Sequence, residues 1–401
     1  MKILFQINSV ANSRSTGRIA EGIGNAAIAA GFSSYIAYGR YANPSSSHLI
    51  QVGQKKDYLL HCVRSRILDD HGMGSVAATR ALLKQMDEIR PDIVHLHNIH
   101  GYYLNYPLLF QYLKDNNVPV VWTLHDCWPF TGHCAHFDYA KCECWKTGCH
   151  HCPQKTTYPA SYVLDRSKQN WLAKKYYFTL PDQMLIVPCS YWLGDLVKKS
   201  FLGKYPVNVI HNGINTEVFR PCSATEIRSK HGWENKKILL GVASSWSPRK
   251  GLKDFIELSK LLPGDYCIVL VGLNPEQMKD LPANIIAFAK TESVQMLAEL
   301  YSAADVFLNL TWEDNYPTTN LEAIACGTPV ITYRTGGSPE SISKGTGFVV
   351  EQGNLQGVLR AVPVLHKNVE VCREYALANF RQEDRFQEYV NLYQRLLKEN
   401  G

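Results

Sequence analysis

The chain has 401 residues, 45% of them hydrophobic, and a formal net charge of +6. Because this length exceeds what one hydrophobic core usually supports, we expect two domains. No apolar stretch approaches the roughly 18 to 20 residues that a membrane-spanning helix needs. The mild positive charge favours anionic small molecules or an anionic membrane surface as partners, and it is too small to indicate nucleic acid.

The N-terminus, from Met1 to Ile7, is a short strand-like run that stops at the polar residue Asn8. It lacks the longer apolar core and the cleavage site of a signal peptide, so we expect a cytoplasmic protein. Pairs of basic residues recur in the first half, at Lys55-Lys56, Lys174-Lys175 and Lys198-Lys199. They fit a solvated surface, and the alternative is peripheral docking on the inner face of the cell membrane.

Short β-branched or aromatic runs bounded by turn residues predict strands along the whole chain. In the first half these runs cover residues 2–7, 34–38, 92–96, 118–124, 185–189 and 207–210. In the second half they cover residues 237–243, 266–271, 284–288, 304–310, 328–332 and 347–350. The runs are continuous rather than alternating, which indicates parallel strands covered by helices on both faces. We therefore predict two doubly wound, Rossmann-like α/β domains.

A polar stretch with one proline separates the two sets of strands and suggests the domain boundaries. We predict an N-terminal domain at residues 1–212, a linker at 213–236 and a C-terminal domain at 237–378. The remaining residues, 379–401, have the pattern of an amphipathic helix. Its apolar face holds Phe386, Val390, Tyr393 and Leu397. Such a helix must cover another surface of the protein.

The segment TWEDNYPTTNLEAIACGTPVIT, residues 311–332, follows a predicted strand and leads into a helix. The helix should run from Pro317 or Thr318 to Ala325, because a glycine and a proline follow it. Open parallel sheets bind ligands at the carboxyl ends of their strands. A helix N-terminus offers unpaired N–H groups and the positive end of a dipole. The amides of Thr318 and Thr319 are therefore candidates to hold a diphosphate.

Two carboxylates flank this turn, and each suits one end of an elongated ligand. Glu322 lies about one turn inside the helix, where it can accept hydrogen bonds from the vicinal hydroxyls of a ribose. Asp314 precedes the turn and would reach a sugar at the opposite end of the same ligand. Taken by itself, the stretch also fits an ordinary helix with one surface Asp and one surface Glu.

The same stretch resembles the signature of the family 4 retaining glycosyltransferases of the GT-B fold. That signature is two acidic residues with seven between them, followed by Ala-x-Ala-x-Gly-x-Pro-Val. The matching residues are Asp314, Glu322, Ala323, Ala325, Gly327, Pro329 and Val330, with Asp where the family usually has Glu. The resemblance implies two Rossmann-like domains facing a central cleft, with a C-terminal helix that crosses back to the first domain.

Further segments resemble the family in the same order along the chain. ASSWSPRKGLKDFI, residues 243–256, resembles its Gly-Arg-x-x-x-x-Lys-Gly loop, in which the Lys contacts the donor diphosphate. Lys250 matches that Lys. The family's Arg falls at Ser245 here, and Arg249 is the candidate to replace it.

Glycine loops and a histidine complete the resemblance. The segment TYRTGGSPESI resembles the family's Gly-Gly-x-x-Glu loop, in which Gly336 and Gly337 let the backbone approach the ligand. SRSTGRIAEG resembles the glycine loop after the first strand, with Gly17 near the phosphates. His125, at the end of a predicted strand, matches a His beside the donor sugar.

The resemblance implies retaining transfer of a sugar from a UDP- or GDP-sugar to a hydroxyl of a glycan acceptor. It extends to enzymes of the colanic-acid type, which makes a lipid-linked oligosaccharide in bacterial surface-polysaccharide synthesis the expected acceptor. The chain contains no Asp-x-Asp, so we expect no catalytic metal. The alternatives are a GT-B-fold sugar-nucleotide epimerase, which would carry other acid/base residues, and a zinc-ribbon binding module on an inactive fold.

Six of the twelve cysteines lie within residues 127–152, in a segment that we predict to be an insert at 127–153. Cys149-x-x-Cys152 has the spacing of a metal knuckle, and Cys134 and Cys142 could complete a four-thiolate structural zinc site. The residues that could substitute are Cys144, His133, His150 and His151. Reduced thiols, an iron–sulfur cluster or a disulfide are the alternatives, and a cytoplasmic location disfavours the disulfide.

His95 and His97 also suggest a metal, because alternate residues of a strand face one way. We expect these histidines, and His100 after them, to bond hydroxyls or to pack rather than to bind a metal.

Overall fold

The computed structural model describes residues 1–399, and the chain divides into two units. The first unit contains residues Met1–His211, and the chain returns to this unit from Phe386 onward. The second unit contains residues Asn212–Arg385. Each unit holds one six-stranded sheet.

The first unit alternates strands and helices. Its strands are β1 (Ile3–Ala11), β2 (Ser33–Ala42), β3 (His48–Gln51), β4 (Ile93–Leu96), β5 (Val120–Leu124) and β6 (Met184–Pro188). Its helices are α1 (Arg14–Ala29), α2 (Lys55–Leu68), α3 (Val76–Ile89), α4 (Tyr106–Asp115), α5 (Ser167–Phe178) and α6 (Tyr191–Lys199).

The second unit repeats this alternation. Its strands are β7 (Lys237–Val242), β8 (Tyr266–Val271), β9 (Ile285–Phe288), β10 (Val306–Asn309), β11 (Val330–Tyr333) and β12 (Gly347–Val350). Its helices are α7 (Thr225–His231), α8 (Leu252–Leu261), α9 (Pro275–Met278), α10 (Val294–Ala303), α11 (Thr318–Ala325), α12 (Leu355–Ala361) and α13 (Val369–Asn379). A last helix, α14 (Gln382–Glu399), begins in the second unit and ends in the first.

Both sheets are parallel throughout, with the strand orders β3-β2-β1-β4-β5-β6 and β12-β11-β10-β7-β8-β9. The two orders are equivalent and are those of a doubly wound Rossmann fold. Strands such as β5 (VVWTL) and β8 (YCIVLV) are buried at every residue, as expected for strands covered on both faces. The prediction of two Rossmann-like domains is confirmed.

Three details of the strand prediction were wrong. Strand β1 continues past Asn8 to Ala11 and tolerates the buried Asn8, whose side-chain amide donates to the Val10 carbonyl at 2.9 Å. Residues 207–210 form only a single bridge between Val207 and Ile186. Strand β3 was missed because it lies at the sheet edge and is mostly exposed, so its hydrophobic pattern is weak.

Helix α14 packs its predicted apolar face into the core of the first unit. Val390 and Tyr393 are fully buried there beside Leu4 and Ile93 of the central strands. Phe386 leaves no room for a side chain at Gly22 of α1, where a Cβ would lie 2.1 Å from the Phe386 ring. The expected return of the C-terminal helix to the first domain is confirmed.

Among residues 1–399, no helix combines the length and the apolar composition needed to cross a bilayer.

Candidate functional site

In the second unit the strand order reverses between β7 and β10, the place where doubly wound sheets bind ligands at their carboxyl edge. Lys250 follows β7 and Asp314 follows β10. The Lys250 ammonium contacts the Asp314 carboxylate at 2.5 Å, and both side chains are partly exposed. The second Asp314 oxygen accepts a hydrogen bond from the Asn315 amide at 2.9 Å. The structure thus joins two residues that the sequence analysis had placed on different parts of the ligand.

Residue 251, directly after Lys250, must be a glycine. Its backbone is left-handed, with φ of 77°, and a Cβ at this position would lie 2.0 Å from the Leu310 carbonyl oxygen. Only glycine therefore allows the turn at residues 248–250 to approach the end of β10 this closely.

Arg249 ties the same two segments together. Its guanidinium donates to the Glu313 carbonyl at 3.0 Å, and its own carbonyl accepts from the Trp312 amide at 2.7 Å. In this conformation Arg249 supports the Asp314 turn, beside the place that the sequence analysis assigned to a phosphate.

Helix α11 spans Thr318–Ala325, as predicted. Pro317 precedes it, and no side chain caps its N-terminus, where Thr318 and Thr319 are both half-buried. Asn320 is fully buried and holds the helix in place: it accepts from Asn309 of β10 at 2.7 Å and donates to Ser341 at 3.0 Å. These polar contacts fix the helix start at the carboxyl edge of the sheet.

Glu322 is oriented by a residue that the sequence analysis missed. The buried Tyr301 of α10 donates its hydroxyl to a Glu322 carboxylate oxygen at 2.8 Å. Burial, and then the nearby Glu322 charge, raise the pKa of Tyr301 well above its usual value, so Tyr301 remains a donor. An aromatic residue in an apolar helix carries no sequence signal of this role.

The glycine pair lies against the turn that follows Asp314. Gly336 has a left-handed backbone with φ of 52°, and the Gly337 amide donates to the Asn315 carbonyl at 3.0 Å. The backbone of this loop therefore approaches the turn that separates Asp314 from α11.

In the first unit, Gly17 lies inside a helix rather than in a loop. Helix α1 begins at Arg14, so SRSTGRIAEG is not the glycine loop that the sequence suggested. The reason is that β1 is longer than predicted, and only Asn12 and Ser13 separate it from α1. Gly17 still packs closely, since a Cβ there would meet Val10 at 3.0 Å.

His125 follows β5 and takes part in a chain of hydrogen bonds. The Gln6 amide nitrogen donates to the Ala20 carbonyl at 2.9 Å, which leaves the Gln6 oxygen to accept from His97 Nε2 at 3.0 Å. His97 Nδ1 is then an acceptor, and it faces His125 Nε2 at 3.3 Å. In neutral rings this order makes His125 Nε2 a donor and His125 Nδ1 an acceptor.

Both rings are held neutral. Burial, and then the charge of His100, lower the pKa of His125 to about 4, although Asp126 opposes this shift. Burial, followed by the neighbouring His95 and His125, lowers the pKa of His97 well below its usual value. An acceptor nitrogen on a neutral histidine can receive a hydrogen bond from a sugar hydroxyl.

A second polar group in this region was not predicted as a site. His100 Nε2 contacts Asp126 at 2.9 Å, and His100 Nδ1 contacts the Tyr158 hydroxyl at 3.0 Å. Burial alone would raise the pKa of Asp126, but the neighbouring His100 lowers it to about 2. His100 follows β4 and Asp126 follows β5. Their positions after strand ends were the only feature of the sequence that could have predicted this group.

His95 bonds two hydroxyl groups, and His97 bonds an amide oxygen and a second imidazole. His95 Nε2 contacts the Thr123 hydroxyl at 2.8 Å, and His95 Nδ1 contacts the hydroxyl of Tyr393 of α14 at 2.6 Å. Their rings lie 4.0 Å apart on one side of the sheet.

The cysteine-rich segment does not support the zinc prediction. Five cysteines line one small pocket: Cys134, Cys142, Cys144, Cys149 and Cys152. Within residues 1–399, however, no group of three or more His, Cys, Asp or Glu side chains is arranged to hold a metal ion. All twelve cysteines are free thiols, so the structure contains no disulfide.

Burial explains the chemical state of these thiols. The pocket is walled by Phe137 and Trp145, and burial raises the pKa of Cys149 to about 12. A hydrogen bond between Cys134 and Cys152 raises the pKa of Cys134 and lowers that of Cys152. Cys149 is therefore a protonated thiol at neutral pH, whereas the pKa of Cys152 is lowered to about 7.

Comparison with known families identifies the class of protein. Residues 17–218 match Glycosyltransferase Family 4, and residues 223–378 match Glycosyl transferases group 1. The chain belongs to the family 4 glycosyltransferases, as the resemblance of its motifs indicated. This membership does not support the epimerase or the inactive binding module.

Individual relatives agree with this assignment. The chain is 27% identical over 341 residues to the putative colanic acid biosynthesis glycosyl transferase WcaC of Escherichia coli (strain K12), covering 76% of this chain and 77% of that protein. It is 30% identical over 213 residues to N-acetyl-alpha-D-glucosaminyl L-malate synthase of Bacillus anthracis, covering 48% of this chain and 55% of that protein.

Solved structures of glycosyltransferases share the fold. Sucrose-phosphate synthase from Thermosynechococcus elongatus is similar with a TM-score of 0.72 at 15% identity, covering 100% of both chains. Anabaena Alr3699/HepE in complex with UDP-glucose is similar with a TM-score of 0.65 at 12% identity, covering 98% of this chain and 100% of that one. At these identities the similarity concerns the fold.

Proposed function

We propose that this glycosyltransferase moves a sugar from a nucleotide-diphosphate donor to a hydroxyl of a glycan acceptor in surface-polysaccharide synthesis, with retention at the anomeric carbon. The acceptor is a lipid-linked oligosaccharide at the inner face of the cell membrane. The similarity to WcaC supports the pathway class, and the fold similarity to HepE with UDP-glucose supports a UDP-sugar over a GDP-sugar.

The observation that carries the proposal is the contact between Lys250 and Asp314 at the strand-order reversal of the second sheet. A lysine ammonium has three donors, so Lys250 can keep Asp314 while it also bonds a phosphate oxygen. Asp314 then remains beside the diphosphate, where its carboxylate can accept a hydroxyl of the transferred sugar.

Departure of the diphosphate is the difficult step. The bond from the anomeric carbon to the diphosphate oxygen breaks, and a bond to the acceptor oxygen forms on the same face of the sugar. The acceptor proton passes to the departing phosphate. Lys250 and the amides of Thr318 and Thr319 stabilise the developing negative charge, and Arg249 adds to this field from the adjoining turn. Because these groups supply the positive charge, transfer needs no catalytic metal.

The remaining residues position the donor. Glu322, held by Tyr301, binds the ribose hydroxyls, and the backbone at Gly336 and Gly337 lies against the phosphates. In the first unit, a ring nitrogen of neutral His125 bonds a hydroxyl of the sugar, while Gly17, packed inside α1, takes no direct part.

Donor turnover tests this proposal. UDP- and GDP-sugars are incubated with the chain, with and without an acceptor, and each reaction is run once in EDTA and once in magnesium. The anomeric configuration of the product is measured by NMR. We expect a UDP-sugar to be consumed equally in both media and the configuration to be retained. Absence of binding by every nucleotide sugar in calorimetry would reject the function, and inversion would reject the mechanism.

A further inference from the structure

Helix α2 differs from an ordinary surface helix because it turns apolar residues toward solvent and buries small and polar ones. The residues that it buries are His61, Cys62 and Ser65. The hydrophobic residues that it exposes are Leu59, Leu60, Val63 and Ile67, which recur on one face at helical spacing. Leu60 is 70% exposed and Val63 is 54% exposed. A helix normally turns its apolar stripe toward the core, so this outward stripe indicates an interaction surface.

A second segment extends the stripe. The Tyr162 amide donates to the Arg66 carbonyl at 2.8 Å, and the Leu164 amide donates to the Ile67 carbonyl at 3.0 Å. Tyr162 and Val163 are 63% and 61% exposed. We call the combined surface the apolar face, and it consists of Leu59, Leu60, Val63, Ile67, Tyr162, Val163 and Leu164. Its two segments are joined by backbone hydrogen bonds, so they present one surface.

Basic residues lie on and beside the apolar face. The basic residues on its two segments and beside them are Lys55, Lys56, Arg64, Arg66 and Lys155, of which Arg64 forms an ion pair with the buried Asp70. Lys155 donates to the Val163 carbonyl at 3.2 Å, which places this ammonium at the edge of the face.

The acidic residues of the same segments bond to backbone amides. Asp57 accepts from the Gln54 amide at 2.8 Å, and Asp165 accepts from the Cys152 and Ser167 amides at 2.7 and 2.9 Å. The apolar face therefore combines exposed aliphatic and aromatic groups with a net positive border.

This composition matches an anionic bilayer. Lysine is depleted at protein–protein interfaces, whereas helices that lie in the membrane interface pair Leu and aromatic residues with Lys and Arg. We propose that the apolar face docks the chain on anionic phospholipids. The inference deepens the proposed function, on which it rests for the lipid-linked nature of the acceptor.

The inner side of α2 adjoins the polar group around His100. His61 Nε2 accepts from the Gly72 and Gly74 amides at 3.1 and 3.2 Å, and its ring lies 5.9 Å from that of Tyr102. The Tyr102 ring lies 4.6 Å from His71, which lies 6.0 Å from His100. Docking would therefore bring the His100–Asp126 group near the bilayer surface, where a lipid-anchored glycan begins.

Co-sedimentation of the full chain with vesicles tests the proposal. The vesicles are phosphatidylcholine alone or with about a third of phosphatidylglycerol, at low and high salt. We expect binding to the anionic vesicles that weakens with salt. The variant Leu60→Ser/Val63→Ser should lose at least tenfold in binding, and Lys55→Glu/Lys56→Glu should lose the salt-sensitive part.

Matched variants in the second unit serve as controls. Leu261→Ser/Val364→Ser removes two exposed apolar residues there, and Lys290→Glu/Lys344→Glu reverses two exposed charges. Equal loss in the controls, or wild-type chain that remains in the supernatant, would overturn the docking proposal. A dimer abolished by Leu60→Ser/Val63→Ser, without vesicle binding, would assign the face to a second copy instead.

Donor binding measured without vesicles separates the two proposals. Unchanged nucleotide-sugar binding with no vesicle binding rejects only the docking surface. Vesicle binding with no nucleotide-sugar binding rejects only the proposed catalytic function.

Discussion

Twelve of the fourteen histidines lie in the first unit, and only His231 and His366 lie in the second. At one edge of the first sheet, His95, His97 and His125 are kept neutral and bond neighbouring side chains. The strand ends of the second unit carry partly exposed charges, Lys250 and Asp314, beside an uncapped helix start. One strand order thus supports two kinds of site: neutral groups suit hydroxyls, and charges with backbone amides suit a diphosphate.

The largest expected effect is a difference in acid stability between the units. Burial is the main cause that lowers the pKa of His61 to about 4 and of His95 to about 3. Below about pH 6.5 these histidines become protonated in the unfolded chain but stay neutral in the folded chain. The free energy of unfolding therefore falls as the pH drops from about 6.5 to about 4. Each such histidine contributes about 1.4 kcal/mol per pH unit.

Hydrogen exchange at pH 6.5 and pH 5 measures this difference. Peptides from the first unit should lose protection first, while peptides from the second unit serve as the internal control. Simultaneous loss in both units would contradict the assignment of the neutral histidines as the acid-sensitive element.

Removing the central cation of the second unit should have the largest effect on activity. We expect Lys250→Ala to lower donor turnover by about a hundredfold, because one preorganised donor to a developing charge is worth about 3 kcal/mol. Lys250→Arg should restore part of the rate. Lys253→Ala changes an exposed lysine nearby and is the matched control; a Lys250→Ala rate equal to that of this control would refute the phosphate role.

The acidic residue on α11 should affect donor affinity more than the chemical step. We expect Glu322→Ala to lower kcat/KM by more than tenfold, about 1.4 kcal/mol or more, mainly through KM. Glu276→Ala, at an exposed surface pair with Lys279, is the control. Undiminished turnover in Glu322→Ala would remove the ribose assignment.

In the first unit, Gln6→Leu should loosen the histidine chain without changing any charge. The His97 ring loses its acceptor, so both His97 and His125 can adopt the other tautomer, and we expect kcat to fall by about fivefold to tenfold. Nitrogen-15 NMR of labelled histidine measures the tautomers directly. Gln111→Leu alters an exposed glutamine as the control. A wild-type His125 protonated at Nδ1 would show that the hydrogen-bond order is wrong.

The smallest effect should come from Tyr301→Phe. This change keeps the packing and removes one hydrogen bond to Glu322, so donor affinity should fall by about fivefold, or about 1 kcal/mol. Calorimetric titration with a UDP-sugar measures it, and Tyr301→Phe combined with Glu322→Ala should be no worse than Glu322→Ala by itself. A further additive loss in the double variant would place the role of Tyr301 elsewhere.

The sequence by itself determined the two parallel sheets, the helix at residues 318–325 and the face of the C-terminal helix. These depend on local hydrophobic pattern, turn residues and capping, which act over a few neighbouring positions. It also singled out Asp314 and Glu322 by their positions around a turn and a helix start, and Lys250 by its resemblance to the family's Lys-Gly pair.

Only the tertiary structure decided which side chains meet. The pair of Lys250 with Asp314, the orientation of Glu322 by Tyr301 and the link from Gln6 to His125 join residues that are 21 to 119 positions apart in the chain. The zinc prediction shows the same limit of the sequence. The spacing of the cysteines suggested a metal site, but in the described residues the packed pocket is apolar and no three ligands are arranged to hold a metal ion. Spacing constrains neighbours along the chain, whereas contacts, burial and the pKa values that follow from them arise only when distant segments pack.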